Sequence, residues 1–113
     1  MYSKELLKGT LKPILLKLLS DRGAMYGYEI VQAVKQMSLG KIVIKEGSLY
    51  PLLHALLAEG ILETESRKVD GRTRKYYALS KKGKTETVSA LGELEDFMST
   101  IKLILTTKPT TQL

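Results

Sequence analysis

The sequence contains no cysteine and no tryptophan, and it has a single histidine, His54. Without cysteine the chain has no disulfide, no thiolate metal ligand and no thiol nucleophile. One histidine cannot form a metal site without further ligands, and no cluster of carboxylates accompanies it in the sequence. We therefore predict neither a metal site nor a cofactor.

Long apolar runs are missing as well. No segment approaches the roughly 18 consecutive apolar residues that a membrane-spanning helix requires. Near the start, only two leucines precede Lys8 and Gly9, too few for the apolar core of a secretion signal. These observations predict no membrane partner and favour a cytoplasmic location.

Signatures of catalysis are equally scarce. Ser48 has no evident base partner, and Gly47 is not part of a G-x-S-x-G turn. The glycines are scattered along the chain rather than gathered in a phosphate-binding loop. We predict that the chain is not an enzyme.

The charge balance is basic, with 18 lysines and arginines against 12 acidic residues and a net charge of +6. This balance favours a polyanionic partner, such as nucleic acid or an anionic membrane surface. A basic protein without such a partner has the same balance, so the placement of the charges must distinguish the two.

Apolar residues at spacings of three and four predict three short helices. The first runs from Thr10, as N-cap, to Ser20, and the second begins near Tyr26 or Gly27. The third begins between Glu46 and Ser48, has its proline in the first turn, and ends at Gly60. The apolar faces expected in the core are Leu11, Ile14, Leu15, Leu18 and Leu19 in the first helix, Ile30, Ala33, Val34 and Met37 in the second, and Leu49, Leu52, Leu53, Leu56 and Leu57 in the third.

A hairpin and a long helix follow. Two strands, 61–69 and 72–79, are joined by Asp70-Gly71, a pair that favours a tight turn. Ser80 then caps a helix that extends to about Leu105. The predicted fold class is mainly α with a small β-hairpin, a winged helix-turn-helix plus a long C-terminal dimerisation helix. The expected division is a DNA-binding domain over 1–79, the helix over 80–106, and a flexible tail over 107–113.

The third helix is the candidate for the DNA major groove. Its outer face carries small and polar side chains, which fit a groove and donate to bases or phosphates. An ordinary amphipathic helix with a solvated face explains the same pattern equally well. The candidate residues of this segment are Lys45, Gly47, Ser48, Tyr50, Pro51 and His54.

The tip of the hairpin is strongly basic, and three of the four arginines of the chain lie there. A basic ribbon beside a groove-sized helix is typical of phosphate and minor-groove contact, although a solvent-exposed hairpin can be basic without a partner. The candidate DNA-binding residues are Arg67, Lys68, Arg72, Arg74 and Lys75.

Tyrosines flank both of these candidate regions. Tyr26 and Tyr28 stand at the start of the second helix, where phosphate contact and packing are both compatible with the sequence. Tyr76 and Tyr77 are neighbours in a strand, so their side chains must point to opposite faces. We expect one of them to pack under the hairpin and the other to lie outward.

The last helix carries an apolar stripe with alternating spacings of three and four, which suits a partner helix and indicates a homodimer. The alternative is that the helix folds back on its own domain, which we expect only near Val88. The candidate interface residues of this helix are Leu91, Leu94, Phe97, Met98, Ile101 and Leu105.

Several stretches together resemble the PadR family of bacterial transcriptional regulators over about residues 5–105. The most specific is Glu46-Gly47-Ser48-Leu49-Tyr50-Pro51-Leu52-Leu53. The others are Gly9-Thr10-Leu11, Tyr26-Gly27-Tyr28-Glu29-Ile30, Leu57-Ala58-Glu59-Gly60-Ile61-Leu62 and Arg74-Lys75-Tyr76-Tyr77-Ala78-Leu79-Ser80-Lys81-Lys82-Gly83.

The resemblance implies a homodimeric winged-helix repressor with one C-terminal helix, as in the short PadR subfamily. It implies contact with double-stranded operator DNA, a dimer built by the first and last helices, and release by a small phenolic or lipophilic effector. Some members bind aromatic drugs between tryptophans, which this chain lacks. An aliphatic cavity at the dimer interface, lined by Leu11, Leu15, Phe97 and Ile101, is the corresponding expectation. The alternative is a winged-helix module that binds a protein partner and lacks sequence-specific DNA binding.

Overall fold

The computed structural model describes residues 2–109. Its elements are α1 (Lys4–Leu7), α2 (Leu11–Arg22), β1 (Met25–Tyr26), α3 (Gly27–Met37), α4 (Glu46–Ala58), β2 (Leu62–Val69), β3 (Arg72–Leu79) and α5 (Lys81–Thr106). The predicted fold class, mainly helical with a small β-hairpin and a long last helix, is confirmed. Of the predicted tail, residues 107–109 are exposed without regular structure, and 110–113 lie outside the described residues.

The leucine-rich faces of α2 and α4 meet the apolar face of α3 in one core. Each fully buried leucine or isoleucine contributes about 1.5–3 kcal/mol to this packing. The largest fully buried side chains are Leu15, Leu16, Leu18, Ile30, Leu49, Leu53 and Leu56. Met37, predicted to be in the core, is instead exposed and is the last residue of α3.

The start of α4 differs in one detail from the expectation. Glu46 is the first residue of the helix, so Pro51 is the sixth and lies beyond the first turn. Proline has no N–H to donate to the carbonyl four residues earlier, which belongs to Gly47. Gly47 is exposed, so water can satisfy that carbonyl and the helix continues.

The hairpin closes through Asp70 and Gly71, whose φ angles are +52° and +76°. Two successive left-handed residues form the tight turn that matches the twist of paired strands. The sheet nevertheless has three strands, in the order β1-β3-β2, because Met25 and Tyr26 pair with Tyr77 and Tyr76. A two-residue strand has too few residues to show an alternating pattern, so the sequence did not reveal β1.

Both adjacent tyrosines of β3 are buried, which corrects the expectation that one lies outward. Tyr77 points into the core with Met25, its partner across the strands. Tyr76 points to the opposite face of the sheet, where the ring of Tyr26 and the guanidinium of Arg67 cover it.

The first turn of α5 is fixed tightly to the turn after α4. Ser80 caps the helix by accepting a hydrogen bond from the Gly83 N–H at 3.0 Å, and its own N–H donates to the Ile61 carbonyl. The helix then contacts α2, where Lys12 pairs with Glu86 at 3.1 Å. The buried side of α5 runs through Thr87 and Ala90.

The helix folds back on its own domain near Val88, as expected, although the Val88 side chain itself is 75% exposed. Thr87, one residue earlier, is the side chain that the domain covers. Among the described residues, no helix combines the length and the apolarity that a bilayer crossing needs.

Candidate nucleic-acid interface

The outer face of α4 is formed by residues at spacings of three and four. Gly47, Tyr50, Pro51 and His54 therefore share one side of the helix, and all four are exposed. Helix α3 and the residues 38–45 precede α4, and the hairpin follows it. The face has little charge of its own and projects no long side chain apart from Tyr50.

A cleft of about 440 Å³ separates this face from the hairpin and the start of α3. It brings together candidates that are distant in the sequence. Tyrosine hydroxyls and two cations line a single concavity, a combination that suits a phosphate group. The lining residues are Tyr26, Gly27, Tyr28, Tyr50, Arg74, Lys75 and Tyr77.

Within the cleft, the Tyr50 side chain lies directly against Gly27. A Cβ atom placed on Gly27 would overlap the Tyr50 hydroxyl and approach its Cζ to 3.0 Å. Burial, and secondarily the nearby Tyr50 hydroxyl, raises the pKa of Tyr77 above its ordinary value of 10.0, so this phenol stays neutral at physiological pH. The close approach of Gly27 and Tyr50 sets how α4 lies against the start of α3.

We expect Gly27→Ala to displace Tyr50 and to lower the free energy of unfolding by about 1 kcal/mol, the low end of the range for overpacking, because the exposed Tyr50 side chain can move. DNA affinity should fall at the same time, because Tyr50 belongs to the candidate surface. Urea unfolding followed by circular dichroism measures the first effect. Tyr50→Phe removes the overlapping oxygen, so the double variant should recover part of the lost stability. Additive losses in the two variants would contradict this contact.

The basic residues of the hairpin are not equivalent. Arg67 Nη2 lies 2.6 Å from Glu65 Oε1, and its guanidinium carbon lies 4.3 Å from the centre of the Tyr76 ring. Arg74 lies in the same way 4.5 Å from the centre of the Tyr26 ring. Such contacts between a cation and an aromatic ring are each worth about 0.5–1 kcal/mol at exposed sites. Arg67 and Arg74 therefore also hold the outer face of the sheet together.

The other three cations of the hairpin are exposed, and one of them, Lys75, also lines the cleft. Lys68, Arg72 and Lys75 are exposed, and within residues 2–109 none of them pairs with a carboxylate. The charge of Arg67, in contrast, is offset by Glu65. In the sequence the five cations form a single group. The Glu65–Arg67 pair is local to β2, whereas the two aromatic contacts depend on the register between strands.

Two further candidates lie apart from the cleft. Lys45, the N-cap of α4, and Ser48 face α1 and the start of α2 and line a second cavity. Both are exposed, so they flank the outer face of α4 on the side away from the hairpin. Their role in DNA binding stays a prediction.

The candidate dimer residues also separate into groups. Leu15 is 1% exposed and lies in the core of its own chain, so its assignment to a dimer interface does not fit the structure. Leu11, Leu91 and Leu94 are half-buried. The remaining candidates, all on the far half of α5, are exposed: Phe97, Met98, Ile101 and Leu105.

The expected aliphatic cavity is not formed within one described chain. Leu15 is enclosed by the core, and Leu11 lines the second cavity, whose walls do not include Phe97 or Ile101. These two side chains lie on the projecting half of α5, beyond the part that contacts α2.

A helix-turn-helix with an exposed second helix and a basic ribbon beside it is a winged-helix DNA-binding architecture. The Transcriptional regulator PadR-like family matches residues 15–89, which is more than half of the chain. The chain belongs to this family, and DNA binding is implied by that membership. The resemblance found in the sequence is thereby confirmed.

Individual relatives agree with this result. An uncharacterised protein of Lysinibacillus sphaericus is 30% identical over 102 residues, covering 87% of this chain and 93% of that protein. A transcriptional regulator of Mycobacterium tuberculosis is 46% identical over 54 residues, covering 45% of this chain and 50% of that protein. The crystal structure of a PadR family transcriptional regulator from Eggerthella lenta aligns with a TM-score of 0.79 and 28% identity, covering 92% of this chain and 88% of that one.

Proposed function

We propose that this chain is a cytoplasmic homodimeric repressor that binds a palindromic operator and is released by a small phenolic or lipophilic effector. The outer face of α4 enters the major groove, and the hairpin contacts the flanking backbone. The observation that carries the proposal is the juxtaposition, around one cleft, of Tyr50 and the start of α3 with Arg74 and Lys75. Elements from three parts of the chain thus present hydroxyls and cations on one side.

Helix α4 and the hairpin differ in charge, which supports different roles for them in DNA binding. Helix α4 supplies a shape that fits a groove and few charges, so it suits base reading through Tyr50 and His54. Lys68, Arg72 and Lys75 on the hairpin suit sequence-independent contact with phosphates. The proposed homodimer fits a palindromic operator, because two copies of α4 related by a twofold axis match its two halves.

We expect Arg72→Ala to weaken DNA binding and to reduce the slope of log affinity against log salt concentration by about one, the value for one lost phosphate contact. Arg67→Ala should leave that slope nearly unchanged, because Glu65 already offsets its charge. Mobility-shift titrations at several salt concentrations, on duplexes enriched from a random-sequence pool, measure both variants.

Lys102→Ala, an exposed residue of α5 outside the candidate surface, is the control for removal of a positive charge. Equal slopes for Arg72→Ala and the unaltered protein would contradict the phosphate role of the hairpin. If the unaltered protein bound neither enriched nor random DNA at low salt, the proposed function would be wrong, and a protein-binding role would replace it.

A further inference from the structure

A second cavity, of about 540 Å³, lies on the opposite side of α4 from the cleft. Its walls come from the N-terminal segment, the start of α2, residues 41–45 and the first turns of α4. Cavities of this size accommodate a drug-sized molecule. The lining residues are Tyr2, Lys4, Leu7, Lys8, Gly9, Leu11, Lys12, Lys41, Val43, Ile44, Lys45, Ser48 and Leu52.

The chemistry of the lining is sharply divided. Aliphatic side chains, among them Leu7, Leu11 and Leu52, supply apolar walls, whereas the charged lining residues are all lysines and none is acidic. Lys12 pairs with Glu86 at 3.1 Å. Within residues 2–109, the other four lysines, namely Lys4, Lys8, Lys41 and Lys45, have no carboxylate within 4.0 Å.

Like charges gathered around an apolar concavity repel one another, and a bound anion relieves that repulsion. The first turn of α4 adds its positive helix end to the same side. An apolar molecule without charge would leave the lysines uncompensated, and a cation would add to the repulsion. The lining therefore selects for an anionic group attached to an apolar body.

We propose that this cavity binds a small amphipathic anion, with its hydrocarbon body against the leucines and its carboxylate among Lys8, Lys41 and Lys45. The walls given above all belong to one chain, and Leu11 among them is also a candidate dimer residue. Since Lys45 and Ser48 belong both to this cavity and to the candidate DNA surface, the anion competes with a DNA phosphate for Lys45. Bound anion consequently lowers DNA affinity, a consequence that rests on the proposed function.

Isothermal titration calorimetry with decanoate tests the site without any DNA. Decanoate should bind, and decanol and decyltrimethylammonium should bind at least tenfold more weakly, since they retain the chain but lack the negative charge. Lys8→Gln/Lys41→Gln should weaken decanoate binding by about tenfold, as expected for two partly solvated ion pairs. Lys84→Gln/Lys102→Gln is the matched control, because it removes two exposed charges from α5 and should bind decanoate normally.

Equal affinity for decanoate and decanol, or equal losses in the two double variants, would overturn the proposal. A second copy of the chain is the competing occupant, since α5 carries Glu93 and Glu95 on the two flanks of its apolar stripe. If Lys8→Gln/Lys41→Gln weakened self-association in sedimentation equilibrium while decanoate gave no heat, the cavity would be part of an interface and the proposal would be wrong.

A mobility-shift assay tests the regulatory part. Saturating decanoate should lower DNA affinity by about tenfold in the unaltered protein and much less in Lys8→Gln/Lys41→Gln. Calorimetric binding with unchanged DNA affinity would overturn the competition for Lys45. Failure of the protein to bind DNA at all would contradict the proposed function and leave the calorimetric result for the site standing.

Discussion

Gly83→Ala should lower the free energy of unfolding by about 3 kcal/mol and the melting temperature by roughly 10–20 °C. A Cβ atom at this position would overlap the carbonyl oxygen of Ile61 and lie 3.1 Å from its carbonyl carbon. Both are backbone atoms, so no side-chain rotation can relieve the overlap. The first turn of α5 would have to move away from the turn after α4, and the hydrogen bond from the Ser80 N–H to Ile61 would be lost.

Gly92→Ala is the matched control for this prediction. Gly92 lies in the same helix, and a Cβ atom there has no atom within 4 Å. Alanine stabilises a helix relative to glycine by about 0.5–1 kcal/mol, so this variant should be slightly more stable. Thermal unfolding followed by circular dichroism, at one fixed protein concentration, compares the two. Equal melting temperatures for Gly83→Ala and the unaltered protein would contradict the close docking of α5.

Phe97→Glu/Ile101→Glu should convert the protein to a monomer. DNA affinity should fall roughly a hundredfold or more, because the two DNA-binding domains would no longer be linked. Phe97 is 59% and Ile101 38% exposed in the single chain. An exposed apolar stripe of this kind is typical of an interface. Two glutamates on the stripe would bring like charges together across the proposed dimer and remove apolar contact.

The control places two glutamates on the opposite side of the same helix. Ser99 and Thr106 are exposed and lie about half a turn away from the stripe. Ser99→Glu/Thr106→Glu should therefore leave both association and DNA affinity nearly unchanged. Sedimentation equilibrium gives the mass, and circular dichroism shows whether each variant is folded. A Phe97→Glu/Ile101→Glu variant that remained a dimer would disprove the proposed interface.

Gly83 and the exposed apolar stripe lie at opposite ends of α5. The start of α5 is held to the turn after α4 through Gly83, and its far half carries the exposed stripe. Docking of α5 onto its own domain and the proposed dimer contact thus involve separate parts of the helix.

Much of this organisation could be predicted from the sequence. Leucines at helical spacing indicated α2 and α4, since an apolar face of that width must be buried somewhere. Asp70-Gly71 indicated the hairpin turn, because the two residues tolerate the left-handed conformation that the turn requires. The basic tip and the apolar stripe on α5 were visible for the same reason, which is that they are local patterns in one element.

Contacts between distant residues could not be predicted in this way. Strand β1 exists only because Met25 and Tyr26 meet β3, and the burial of Tyr76 depends on Tyr26 and Arg67, which belong to different strands. Leu15 was misplaced because an amphipathic pattern shows that a face is apolar but does not show which surface covers it. Local spacing thus specified the elements and the basic hairpin. Tertiary packing specified which cations remain unpaired, and it brought the lysines of α1, α2 and residues 41–45 around one cavity, because these depend on distances between segments far apart in the chain.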